Sequence, residues 1–101
     1  MNEPRQLVVV YAPDLMDRSR IAAALPEAVF VRDPAELVDA PARIVVVDLS
    51  RPGVLEVIPR IAAPVVGFGS HVDDELLAAA SAAGCDEVLP RSRFFRRVAE
   101  L

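Results

Sequence analysis

Residues 44–53 read Ile44-Val45-Val46-Val47-Asp48-Leu49-Ser50-Arg51-Pro52-Gly53. Four successive β-branched residues form a strand with no polar face, so both of its faces must be covered. The run ends on a carboxylate and then on a turn made of Ser, Arg, Pro and Gly. A fully buried strand that delivers an acidic residue into a loop belongs in the middle of a parallel sheet. In such sheets, chemistry collects beyond the carboxyl ends of the strands.

Similar apolar runs flank this one at intervals that leave room for helices. Leu7-Val8-Val9-Val10 and Ala28-Val29-Phe30-Val31 precede it; Pro64-Val65-Val66-Gly67-Phe68 and Glu87-Val88-Leu89 follow. Asp14 can cap a first helix whose core stripe is Leu15, Ile21, Ala22 and Leu25, stopped by Pro26. Asp33-Pro34-Ala35-Glu36 has the cap, proline and glutamate of a capping box, and Pro41 keeps the helix it opens short. A third helix begins near Val54 and is interrupted by Pro59. Asp73 or Asp74 opens an Ala-rich fourth helix that stops at Gly84. Arg91 or Ser92 opens the last, carrying Phe94, Phe95, Val98 and Leu101.

Strict alternation of strand and helix with right-handed crossovers gives an α/β three-layer sandwich. Five units of this size favour a five-stranded parallel sheet in the flavodoxin-like order 2-1-3-4-5, as one domain over residues 1–101. Its ligand end then gathers Tyr11, Ala12, Pro13 and Asp14 after the first strand and Asp48 to Gly53 after the third. Gly69, Ser70 and His71 follow the fourth strand, and Pro90 and Arg91 the fifth.

Composition narrows the function. The 101 residues are 53% hydrophobic and carry a net charge of −4, so a core is assured and nucleic acid and anionic membranes are not attracted overall. No apolar run reaches the roughly 20 residues of a membrane helix, and Met1 to Gln6 lack a signal peptide's apolar stretch. Cys85 has no cysteine partner, and the natural setting is cytoplasmic. All basic residues other than His71 are arginine. That removes Schiff-base chemistry and a P-loop lysine. With no nucleophile–base pair and no acid pair, the chain is not expected to be an enzyme, and no cofactor or metal is expected. A flavodoxin-like small-molecule site is disfavoured because Tyr11-Ala12-Pro13-Asp14 contains no glycine-rich phosphate loop.

Val45 to Gly53, Pro64 to Ser70 and Ala82 to Arg91 together resemble the response-regulator receiver (CheY-like) family. Asp48-Leu49-Ser50-Arg51-Pro52-Gly53 is similar to its phosphoacceptor loop, and Leu89-Pro90-Arg91 to its Leu-Pro-Lys. The resemblance implies that Asp48 is the phosphoacceptor equivalent. It also marks departures. Tyr11 and Ala12 stand where the family places the acidic pair that holds Mg²⁺, an ion that wants hard oxygen ligands. Gly69 replaces the switch hydroxyl, Val88 the switch aromatic, Arg91 the lysine, and Ser92 the proline after it. Arginine and lysine are not interchangeable at a tight site.

The expectation is a degenerate pseudo-receiver: a protein–protein interaction module in signal transduction or regulation, not phosphorylated. Asp48 would pair with Arg91, and Tyr11 would fill the metal pocket and hydrogen-bond Asp48. The alternative is a single-domain response regulator phosphorylated on Asp48 with Mg²⁺. Because the chain ends after the last helix, output would pass through another protein. The resemblance also implies an association surface of opposite charges, Asp73, Asp74, Glu75, Asp86 and Glu87 against Arg93, Arg96 and Arg97, suited to another signalling protein or a homodimer. His71 is expected in a solvated loop and Cys85 as a buried, inert thiol.

Overall fold

A computed structural model describes residues 7–70 and 72–101. The readings of Met1 to Gln6 and of His71 lie outside these residues. Five strands, β1 (Val8–Tyr11), β2 (Val29–Phe30), β3 (Ile44–Asp48), β4 (Val65–Gly69) and β5 (Glu87–Pro90), form one sheet in the order β2-β1-β3-β4-β5. Each neighbouring pair is parallel, with Val9 opposite Val45, Val45 opposite Val65, and Gly67 opposite Val88. This is the flavodoxin-like arrangement expected from the valine runs.

The helices are α1 (Leu15–Ala24), α2 (Val54–Val57), α3 (Asp74–Ala83) and α4 (Arg91–Arg97), with 3₁₀ turns at Pro34–Leu37, Ile58–Arg60 and Val98–Glu100. None of them is long and apolar enough to cross a membrane.

Alternation along the strands divides the core in two. Val8, Val10, Ala12, Val46, Val66, Phe68 and Leu89 face α1 and α4, meeting Ile21, Phe94 and Val98. Val9, Tyr11, Val45, Val47, Leu49 and Val65 face the other way, meeting Leu37, Val54, Ile58 and Ala80. On the first side Phe68 stacks on Phe94 with ring centres 4.4 Å apart, and Phe95 meets both rings edge-on.

Two sequence expectations are corrected, and a third holds. The inner stripe of α1 is Asp17, Ile21, Ala24 and Leu25, a spacing of four, three and one that keeps one helix face inward. Leu15 and Ala22 fall off that stripe and point to solvent. The second helix is only the 3₁₀ turn Pro34–Leu37. Its capping box is present, with Ala35 N–H donating to Asp33 Oδ1 at 2.9 Å and Asp33 N–H donating to Glu36 Oε2 at 3.0 Å. So few residues remain before Pro41 that no longer helix follows. Pro59 does end α2, as the first turn of a 3₁₀ segment.

Two glycines hold local geometry, one at a helix end away from the site and one beside it. Gly84 closes α3 with φ +120°, a backbone state that side chains resist. Gly67, in the middle of β4, leaves space for Leu49: a Cβ there would sit 2.6 Å from Leu49 Cδ2. Leu49 is thereby packed flat over β4, which fixes the loop that begins at Asp48.

Candidate functional site

β1, β3, β4 and β5 end side by side, bringing Tyr11, Ala12, Asp48, Gly69, Pro90 and Arg91 to one edge of the sheet. Two carboxylates there, Asp48 and Asp17, are each only 2% exposed. A buried charge must be paired and hydrogen-bonded to be tolerated.

Asp48 is satisfied by its own loop. Its Oδ1 accepts from the Ser50 N–H at 3.0 Å and from Ser50 Oγ at 2.7 Å. Its Oδ2 meets Arg51 Nε at 3.4 Å, a longer and weaker contact. The Asx-turn this makes comes from the Asp-Leu-Ser-Arg sequence itself, because Asp favours bonds to backbone two residues on.

Arg91 does not pair with Asp48, contrary to expectation. Its guanidinium forms a two-pronged bond with Asp17, 74 residues away: Nη1 donates to Oδ2 at 2.9 Å and Nη2 donates to Oδ1. The planar fork of arginine matches a carboxylate in this way, where a lysine ammonium would not. Asp17 comes within reach because Asp14 caps α1, accepting from the Asp17 N–H at 3.0 Å, and the stripe through Ile21 turns Asp17 inward. The guanidinium also lies over Phe68 and Phe95, at 5.5 and 5.4 Å from the ring centres. The hydrogen bond to Asp17 holds the Arg91 proton more tightly than usual, partial burial opposes this, and the charges of Asp17, Asp48 and Asp14 reinforce it.

Asp17 is the residue that sequence reasoning missed. The signal was its spacing: an acidic residue four before the core Ile21 is on the buried face and needs a cation.

Tyr11 and Ala12 are buried at the end of β1. Tyr11 packs with Val47, Leu49 and Val54 on the α2–α3 side, and among the described residues it makes no hydrogen bond to Asp48. This corrects the expected Tyr11–Asp48 contact, since the strand's alternation commits the ring to an apolar core. Gly69 is buried, and a Cβ on it would point at Leu77, Leu76 and Leu49, at 3.4, 3.5 and 3.7 Å. Ser70 turns away, with the Val72 N–H donating to its Oγ at 3.4 Å.

The charged surface residues have local duties. Asp73 caps α3, accepting from the Leu76 N–H at 3.1 Å, and Asp86 accepts from the Val65 N–H at 2.8 Å at the opposite end of the sheet. Arg97 pairs with Glu87, while Asp74 and Arg93 are exposed. Cys85 is half-buried rather than buried, against the α3 side of the core. Burial, and then the charge of Asp86, pushes its thiol up to about 11.

That shift has a direct test. The thiol proton is held more tightly in the folded chain, so its contribution favours folding below the unfolded thiol's value and is lost as pH rises through about 11. Iodoacetamide labelling of the native protein is expected to stay slow through pH 9 and rise with a midpoint near 11. A midpoint near the ordinary value of about 8.5 contradicts it.

A five-stranded parallel sheet in this order is the flavodoxin-like fold, which the receiver domains of response regulators share. The chain superposes on a response regulator from Hahella chejuensis with a TM-score of 0.79 at 20% identity, covering 94% of this chain and 90% of that one. It is similar to the phosphorylated cyanobacterial phytochrome response regulator RcpA, with a TM-score of 0.77 at 18% identity and 95% and 90% coverage. It also resembles the signal receiver domain of the putative response regulator NarL from Mycobacterium tuberculosis, at 0.72, 15%, 93% and 90%. No family model matches the sequence, and no curated protein does.

Proposed function

We propose that this chain is a pseudo-receiver: a module of signalling or regulation that works by binding another protein, with no turnover and without phosphorylation of Asp48. The observation that carries this reading is the Asp17–Arg91 pair. Phosphoryl transfer to an aspartate needs a metal and a cation to neutralise the incoming oxygens. The one cation at the receiver lysine's position is instead held in a two-pronged bond to a buried carboxylate.

The donor set does not fit Mg²⁺ either. Tyr11 and Ala12 offer a buried phenol and a methyl group, Asp14 caps α1, Asp17 holds Arg91, and Asp48 is bonded to Ser50 and Arg51. Mg²⁺ sites draw on free carboxylates with water. The position of the switch hydroxyl is a glycine whose missing side chain would meet leucines.

The test is incubation of the protein with acetyl phosphate, and separately with beryllofluoride, in excess Mg²⁺. Intact mass is expected to stay unchanged, and amide shifts around Asp48 are expected not to move. A phosphoryl adduct that disappears in Asp48→Asn would establish the phosphorylated-regulator reading instead.

A further inference from the structure

The charge of this molecule is not spread evenly. Residues 14–24 and 91–101, which contain α1 and α4, carry six arginines against three acidic side chains, while residues 25–90 carry four arginines against eleven. The two helices lie side by side on one sheet face, joined by Asp17–Arg91 and by Arg20, whose guanidinium rests 3.9 Å from the centre of the Phe95 ring. Glu87 of β5 offsets Arg97, and the flank still carries a net positive charge in an acidic protein.

Arg20 is stacked on Phe95, which fixes its plane while leaving its N–H edges without a protein acceptor among the described residues. Arg96, one residue beyond Phe95 on α4, is exposed and has no ion pair among the described residues. One turn before Arg20 on the same helix face is Met16, 73% exposed, and beside it Leu15, 75% exposed. Large apolar side chains this open, set next to preorganised cations, have the make-up of a docking anchor with a charged rim.

We infer that the α1–α4 flank binds an acidic, amphipathic segment of a partner protein, its apolar side chains on Leu15 and Met16 and its carboxylates on Arg20 and Arg96. Charge complementarity selects the occupant. A polyanion such as DNA would feel the repulsion of the acidic remainder of the molecule, whereas a short acidic helix meets only the flank. The inference rests on reading the chain as a binding module, and it names the face and the chemistry of the partner.

The test uses a fluorescent amphipathic peptide of glutamate and leucine against the full chain, followed by anisotropy and by amide-shift mapping. Controls are a lysine–leucine peptide and a DNA duplex. The glutamate–leucine peptide is expected to bind, to shift residues of α1 and α4, and to weaken with salt. Arg96→Glu should reduce the affinity about tenfold and Met16→Ser several-fold, with far-UV circular dichroism unchanged.

The inference is overturned by shifts mapping elsewhere, by equal binding of the lysine–leucine peptide, or by tighter binding of the duplex. Absence of binding at millimolar peptide also overturns it, as does a flank occupied by a second copy, seen as self-association lost in Arg96→Glu. A phosphoryl adduct on Asp48 would sink the pseudo-receiver reading without touching this result, so the two fail separately.

Discussion

Arg91→Ala is expected to destabilise the protein by about 3 kcal/mol, whereas Asp17→Ala should cost only about 1 kcal/mol, although both remove the same ion pair. The asymmetry follows from burial. Asp17 is 3% exposed in its side chain and Arg91 41%. Taking away the arginine leaves a carboxylate inside the protein with no cation. Taking away the aspartate leaves a guanidinium that can turn to water and keep its aromatic neighbours. Breaking a fully buried pair costs about 3–5 kcal/mol, and the partial exposure of Arg91 places this case at the low end. Loss of the contacts with Phe68 and Phe95 adds a fraction of a kcal/mol.

Urea denaturation followed by circular dichroism would measure both variants. For a chain of this size the midpoint of thermal unfolding should fall by more than about 10 °C in Arg91→Ala. A double variant, Asp17→Leu with Arg91→Met, should recover most of the loss, because an apolar pair of similar volume can replace a buried ion pair. Equal losses in the two single variants would mean that Asp17 is not held inside as described. The experiment also bears on function: if the pair is a clamp between α1 and α4, Arg91→Ala removes the one ion pair that joins these helices among the described residues.

The frame was legible because valine is unambiguous. Val8-Val9-Val10 and Val45-Val46-Val47 admit no polar face, and a strand with two covered faces forces a parallel sheet between helix layers. Asp48 at the end of β3 and the glycine stop of α3 followed from local pattern and backbone chemistry, and both are where the pattern puts them. What the pattern could not supply was partner choice. Arg91 had several carboxylates within plausible reach, and resemblance favoured Asp48. The bond went to Asp17 because α1 is rotated by Ile21, which turns Leu15 outward and Asp17 inward in one movement. A helix beginning Leu-Met-Asp reads as an apolar start, and only the phase of the whole helix reveals that its apolar residues are on the wrong side. The same rotation that hides the acid exposes the Leu15–Met16 pair, so one misjudged phase concealed both features.

Phe94→Ala is expected to be the most damaging single core change, at about 4 kcal/mol. Phe94 is fully buried, stacks on Phe68 at an interplanar angle of 14°, and meets Phe95 edge-on at 4.9 Å. The void would be bordered by Phe68, Phe95, Leu89 and Val98, side chains anchored on strand and helix backbones that relax only partly into the space. The contrast is Phe30→Ala on the edge strand β2, where the ring is half-buried and Arg18 lies 5.2 Å from its centre. That change should cost about 1 kcal/mol, since water can occupy the space and β2 is only two residues long. The two variants compared by urea denaturation therefore separate a packed interior from a solvent-bordered edge. In Phe94→Ala the loss should also loosen α4, so that amides of residues 91–97 exchange faster than those of β3. If β3 and α4 lose protection together, the domain opens only as a whole, and α4 cannot be a separately movable element of the binding flank.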